Sequence, residues 1–265
     1  MDLYERFKTA ANEIQQENPV ISNRAFVLSN KIQPLLRLNS DKIVPYSSLS
    51  GLEDLGFIGG GFYSDSADKG VIMVTPSLFK EDSTVDVRLR ATGVRILQIL
   101  GITEVFAFGI GESLQKNDNG ELIFWAEDHI NLSAVNPLVG ANIDEFGVRF
   151  PDMSAAYDDD LTLIGKRESE KAGFKVENGI WAAFDSERNR LDEFSEELIK
   201  NSVQYFCNEL ISESIAAAHG KLKFSLSLLV NPSEDAAEKL IKLLRQLIPG
   251  SIFYAQFHTG NYFNA

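Results

Sequence analysis

The sequence predicts an α/β fold: a single domain with a mixed, largely parallel central sheet flanked by helices. Three observations predict it. Short apolar runs alternate with amphipathic helical patterns along the chain. At 265 residues and 44% hydrophobic content, the chain can bury a sizeable core. No repeat, low-complexity tract or linker-like shift in composition divides it, so one domain over 1–265 is expected.

The elements follow in order. Residues 3–16 read as an amphipathic helix, with Leu3, Phe7, Ala10, Ala11 and Ile14 on one face, ended by Asn18-Pro19. Residues 25–28 form a short apolar strand, and Val44-Pro45-Tyr46 an edge strand. In 57–63, Gly59-Gly60-Gly61 weakens a flat strand and points to a bulge or a close backbone approach. A buried strand is expected at 70–74, then a helix at 86–100 stopped by Gly101. Strands follow at 104–108, 122–126 and 180–184, with a helix at 193–200. Residues 203–207, 209–218 and 223–230 read as strand, helix and strand, a βαβ unit. A last helix spans 233–247, with Ser233 as N-cap and Glu234 and Asp235 in its first turn.

Charge and composition exclude several function classes. A net charge of −13 argues against nucleic acid and anionic membranes as partners. Apolar runs such as 224–230 are far too short to span a bilayer. The opening Met1-Asp2-Leu3-Tyr4-Glu5 is acidic where a secretory signal would be basic and then apolar. A lone cysteine, Cys207, rules out an internal disulfide and suits a reducing cytosol, so a cytoplasmic location is expected. None of His129, His219 and His258 pairs with another His or Cys at metal-ligand spacing, so no metal is expected. His129 reads as structural, and His219 ends a helix before Gly220, where a cation suits the helix dipole. There is no Gly-x-Ser-x-Gly elbow and no Walker pattern.

One stretch is far more specific than the periodicity. Asp128-His129-Ile130-Asn131-Leu132 is followed by Asn136-Pro137-Leu138-Val139-Gly140. Then comes Phe146-Gly147-Val148-Arg149-Phe150-Pro151-Asp152-Met153-Ser154-Ala155-Ala156-Tyr157-Asp158. This block resembles a signature of the trimeric purine nucleoside phosphorylases, and the chain is identified as a divergent member of that family. The resemblance implies a nucleoside phosphorylase-like fold, a homotrimer, and cleavage of a purine nucleoside by inorganic phosphate to free base and ribose 1-phosphate. It implies that the block lies at a subunit interface, where Phe146 would be a substrate-binding residue reaching a neighbour's ribose pocket. Asn131, Asn136, Asn142 and Arg149 would then hydrogen-bond loop backbone. The plainer reading of the block is a demanding loop that folds for its own sake.

Outside the block the family's chemistry thins out. Where the family has a Gly-Ser-Gly-Leu-Gly phosphate loop, this chain has Ser29-Asn30-Lys31-Ile32-Gln33, without a glycine. Asn30 and Lys31 are its phosphate-binding candidates, although Lys31 also reads as a solvated loop lysine. The family's Arg-x-His-x-Tyr-Glu-Gly run is replaced by Thr75-Pro76-Ser77-Leu78-Phe79-Lys80-Glu81-Asp82-Ser83, where the carboxylates beside Lys80 would repel phosphate. The Asn-Ala-Ala-Gly-Gly turn becomes Phe108-Gly109-Ile110-Gly111-Glu112, leaving Gly109 as a phosphate-binding candidate. In Trp181-Ala182-Ala183-Phe184-Asp185-Ser186-Glu187, Glu187 would stand in for the family's base-binding glutamate. Cys207-Asn208-Glu209 takes the place of a Met-Ser-Thr segment and offers Asn208 as a substrate-binding residue. Asn231 matches the asparagine that hydrogen-bonds purine N7 and stabilises the leaving base. It is the catalytic and substrate-binding candidate, set against an ordinary turn at Asn231-Pro232-Ser233.

Holding a desolvated phosphate dianion without donors is very costly, and three donor elements are altered together. The favoured reading is a catalytically impaired or non-catalytic homologue, a pseudoenzyme, self-associating as a homotrimer or joining an active paralogue. The alternative is an active purine nucleoside phosphorylase with a rebuilt pocket using Lys31, Lys80, Glu187 and Asn231. A purine nucleoside sensor is a third reading. No cofactor is expected, inorganic phosphate entering only as co-substrate of an active enzyme.

Overall fold

In the computed structural model, the described residues are 1–248 except 18, 21, 37–42, 65–70, 76–85, 116–119 and 185–194. Nine strands form one sheet: β1 Arg24–Leu28, β2 Ile43–Pro45, β3 Gly61–Ser64, β4 Val71–Val74, β5 Glu104–Ser113, β6 Leu122–Asn131, β7 Val176–Ala183, β8 Val203–Cys207 and β9 Lys223–Val230. The helices are α1 Leu3–Glu17, α2 Gln33–Leu36, α3 Thr92–Ile99, α4 Asp159–Ala172, α5 Ser195–Lys200, α6 Ile211–His219 and α7 Ala236–Leu247. The sheet order is β2-β3-β4-β1-β5-β8-β7-β6-β9, and β9 also pairs with β5. The last five strands therefore close on themselves as a small barrel.

The sheet is mixed, with β1–β4, β1–β5, β5–β9, β6–β7 and β7–β8 parallel and the other pairings antiparallel. Alternation along a strand divides its side chains between two cores. On β5, Val105 and Ala107 face the core under α1, α3 and α6, while Phe106 and Phe108 face the core under α4 and α7. A third small core holds Leu198 of α5 against Ala182, Val203 and Phe206.

Two expectations are corrected, and one helix is added. The helix at 86–100 is a 3₁₀ turn, Val87–Ala91, capped by the Asp86 carboxylate and followed by α3. The 203–230 segment is not a βαβ unit, because β5 lies between β8 and β9, antiparallel to one and parallel to the other. Residues 159–172, left unassigned by pattern, form α4. Asp158 caps it by accepting from the Leu161 N–H at 2.9 Å, and Gly173 ends it with φ +104°.

Beyond Phe108, β5 outruns β1, and only at Glu112 does β8 take up the same edge. Between these two pairings, the segments following β1 and β8 converge on β5. A strand junction of this kind is where open α/β sheets place their ligands.

Candidate functional site

At this junction the Ser29 N–H donates to Phe108 O at 2.8 Å, tying the post-β1 loop to β5. Thr75 Oγ1, at the end of β4, accepts from the Asn30 N–H at 3.2 Å. Lys31 Nζ donates to Asn208 Oδ1 at 2.8 Å, joining the post-β1 loop to the end of β8. Asn30, Lys31, Gly109 and Asn208 are thus brought together. The loop's donors do not face open space. The carboxyl of Glu209 lies against the Ser29 hydroxyl and the backbone N–H groups of Asn30 and Lys31. Burial pushes its pKa up; the Ser29 hydroxyl, the Lys31 charge and those N–H groups oppose that rise without cancelling it. Its Oε2 is buried and without a hydrogen-bond partner among the described residues.

One helical turn further on, Glu213 is 5% exposed, and burial pushes its carboxyl up to about 8. Glu209 adds to that rise, and Arg90 acts against it. The Cys207 thiol is buried and pushed up to about 12, a packing group rather than a nucleophile.

Gly109 requires a correction. A Cβ there would come within 2.8 Å of Leu210 Cδ1, so the room the glycine leaves is filled by a leucine, not held for an anion. Leu210 is buried and takes φ +71° to point inward at the start of α6.

Phe146 also differs from the expectation. It is 3% exposed and packed inside its own chain, 5.3 Å from Tyr4 and 6.1 Å from Phe7, with the Arg95 guanidinium 4.5 Å above its ring. The burial of two aromatic contacts and a cation–π pair outweighs projecting the ring outward. Asn231 takes φ +47°, and its Nδ2 donates to Gly120 O at 3.4 Å, in the connection between β5 and β6. It is therefore joined to a different loop from Lys31 and Asn208. Glu187 and Lys80 lie outside the described residues.

The signature block builds its own scaffold, as its asparagines led us to expect. Asn131 Nδ2 donates to Val135 O at 2.8 Å, and Asn136 Oδ1 accepts from the Leu138 N–H at 2.9 Å. Asn142 Nδ2 donates to Gly147 O at 2.9 Å, and Arg149 Nη1 to Leu138 O at 2.6 Å. Beneath it, Tyr157 accepts from Trp181 Nε1 at 2.8 Å and lies 3.0 Å from His129 Nδ1. Burial lowers the His129 pKa, which suits a neutral, structural ring. Among the described residues no cluster of metal-ligating side chains occurs.

Pattern missed Glu209 and Glu213 as a pair. The available signal was two carboxylates four residues apart, one just before and one within an otherwise apolar short helix, where acidic side chains are rare.

The small barrel, the strand junction and the asparagine-tied loop define a protein of nucleoside phosphorylase architecture. No protein-family model matches the sequence. Purine nucleoside phosphorylase 1 of Geobacillus stearothermophilus is 36% identical over 94 residues, covering 34% of this chain and 33% of the relative. The bovine purine nucleoside phosphorylase is 42% identical over 71 residues, 26% of this chain and 25% of the relative. These matches span a third or less of the curated relatives' length. In structure the likeness is nearly complete. A Schistosoma mansoni purine nucleoside phosphorylase bound to an inhibitor superposes with TM-score 0.76 at 20% identity, over 94% of this chain and 97% of that one. A Schistosoma enzyme in complex with guanosine gives TM-score 0.75 at 20% identity, over 92% and 95%. The chain has the fold of the purine nucleoside phosphorylases and resembles them in sequence over about a third of its length.

Proposed function

We propose that this protein is a divergent, non-catalytic member of the purine nucleoside phosphorylase family, one that keeps the scaffold and has filled the phosphate position from within. The observation that carries the reading is Glu209. Its carboxyl lies against the Ser29 hydroxyl and the Asn30 and Lys31 N–H groups, the kind of backbone-and-hydroxyl cradle that holds an anion. A phosphate entering there would meet a carboxyl group in its place. Loss of one preorganised donor typically costs about a hundred- to a thousand-fold in rate, and here the cradle itself is occupied. Lys31 is engaged with Asn208, which further reduces what remains for an anion.

The same reading includes self-association as a homotrimer in the cytoplasm. Phe150 is 86% exposed, and Val139 and Val148 are exposed beside it on the signature block, an apolar surface suited to a subunit contact. Among the described residues no helix is long and apolar enough to cross a membrane.

A phosphate-dependent cleavage assay on inosine and guanosine tests the proposal. The expected result is release of base no faster than in an enzyme-free control. Phosphate-dependent turnover that Asn231→Ala abolishes would establish the active alternative with a rebuilt pocket.

A further inference from the structure

Away from this junction, the described residues contain a second anomaly. Arg95 on α3 is 5% exposed, yet no carboxylate among the described residues acts on it. Its contacts are neutral. Nη2 meets His219 Nδ1 at 2.8 Å, Nη1 reaches Ala216 O at 3.4 Å and Gln98 Oε1 at 3.5 Å, and the guanidinium stacks on Phe146. Burial lowers its pKa to about 10. A guanidinium taken out of water without a counter-charge is strongly disfavoured.

A cavity of about 20 Å³ adjoins it, lined by Arg88, Arg95, His219 and Asn142 among Leu3, Phe7, Pro137, Leu138 and Ile143. That volume holds roughly one water-sized body. The guanidinium can only donate, so His219 Nδ1 accepts and the ring proton sits on Nε2. Nε2 is buried against the backbone of Gly147 and Val148. The carboxylates attached to this lining are already engaged: Asp86 with Arg88, and Asp144 with the Asn142 amide. The cavity therefore combines positive charge and donors with an apolar wall.

We propose that this cavity is a binding site for a small monovalent anion of chloride size, with Arg95 as its principal ligand. The bound anion supplies the missing counter-charge and fixes the packing of α3 and α6 against the signature block. The apolar wall and the small volume select against phosphate and other hydrated polyatomic anions.

Two measurements test it on the full chain. Crystals soaked in sodium bromide are expected to show an anomalous peak within hydrogen-bonding distance of the Arg95 guanidinium. In solution, sodium chloride is expected to raise the thermal midpoint by roughly 2–4 °C over sodium gluconate at equal ionic strength. Arg95→Met is expected to remove that difference. Should that variant fail to fold, Leu138→Trp, which fills the cavity and leaves Arg95 in place, is expected to remove it as well. No bromide peak, equal midpoints in the two salts, or an undiminished difference in Leu138→Trp overturns the proposal.

Discussion

Glu209 and Glu213 flank the start of α6, close enough for Glu209 to raise the cost of ionising Glu213. Glu213 binds its proton more tightly in the folded chain, with its pKa raised from 4.5 to about 8. The folded state therefore carries a proton that the unfolded state has released across that interval, and stability falls as pH rises from 4.5 to about 8. Besides Glu209, the groups acting electrostatically with Glu213 are Arg90, Tyr46 and Cys207. Glu213→Gln should flatten this dependence and stabilise the protein at pH 8 by on the order of 2–4 kcal/mol. Urea unfolding at several pH values measures it, and a wild-type profile that does not decline over the interval refutes the buried-acid assignment. Glu209 makes a different prediction. Glu209→Ser removes the carboxyl from the Ser29 hydroxyl and the Lys31 N–H, so inorganic phosphate should bind this variant and not the parent. Calorimetric titration reads it directly, and equal heats for both proteins would mean Glu209 is not what keeps phosphate out.

The helices show how local pattern and packing divide the work. α4 carries sequence signals at both ends, Asp158 as cap and Gly173 as stop, but its middle is too polar for an apolar stripe to stand out. Packing identifies its critical position. At Gly165 a Cβ would fall 2.3 Å from the indole of Trp125, which is fully buried and donates to Ser169 Oγ at 3.1 Å. Gly165→Ala gains about 1 kcal/mol of helix propensity and should still lose stability by about 1–3 kcal/mol through overpacking. Chemical denaturation decides the sign, and a more stable variant would show that the indole moves aside easily. Asp158→Ala should cost about 1 kcal/mol by losing the cap, with the same measurement as its check.

Assembly belongs to the whole molecule. A chain of net charge −13 repels its copies, so an apolar contact must overcome that repulsion, and salt should strengthen association by screening it. Sedimentation is expected to give a trimer. Phe150→Asp, placed on the most exposed aromatic of the signature block, should yield monomers with the fold intact. A monomeric parent at every salt concentration would remove the interface reading.

The sequence alone determined the fold class, most strand and helix positions, and the loop chemistry of the signature block. These depend on contacts between near neighbours: alternation along β1 and β5, a cap beside its helix, asparagines bonding backbone a few residues away. The tertiary structure decided what the loops are for. Barrel closure through β5 brought Glu209 to a loop 180 residues earlier in the chain, placed Phe146 in its own core, and joined Asn231 to Gly120 instead of the Lys31 cluster. Pairings this distant leave no periodic trace in sequence, because they are set by how strands close in space and not by the spacing of residues along the chain.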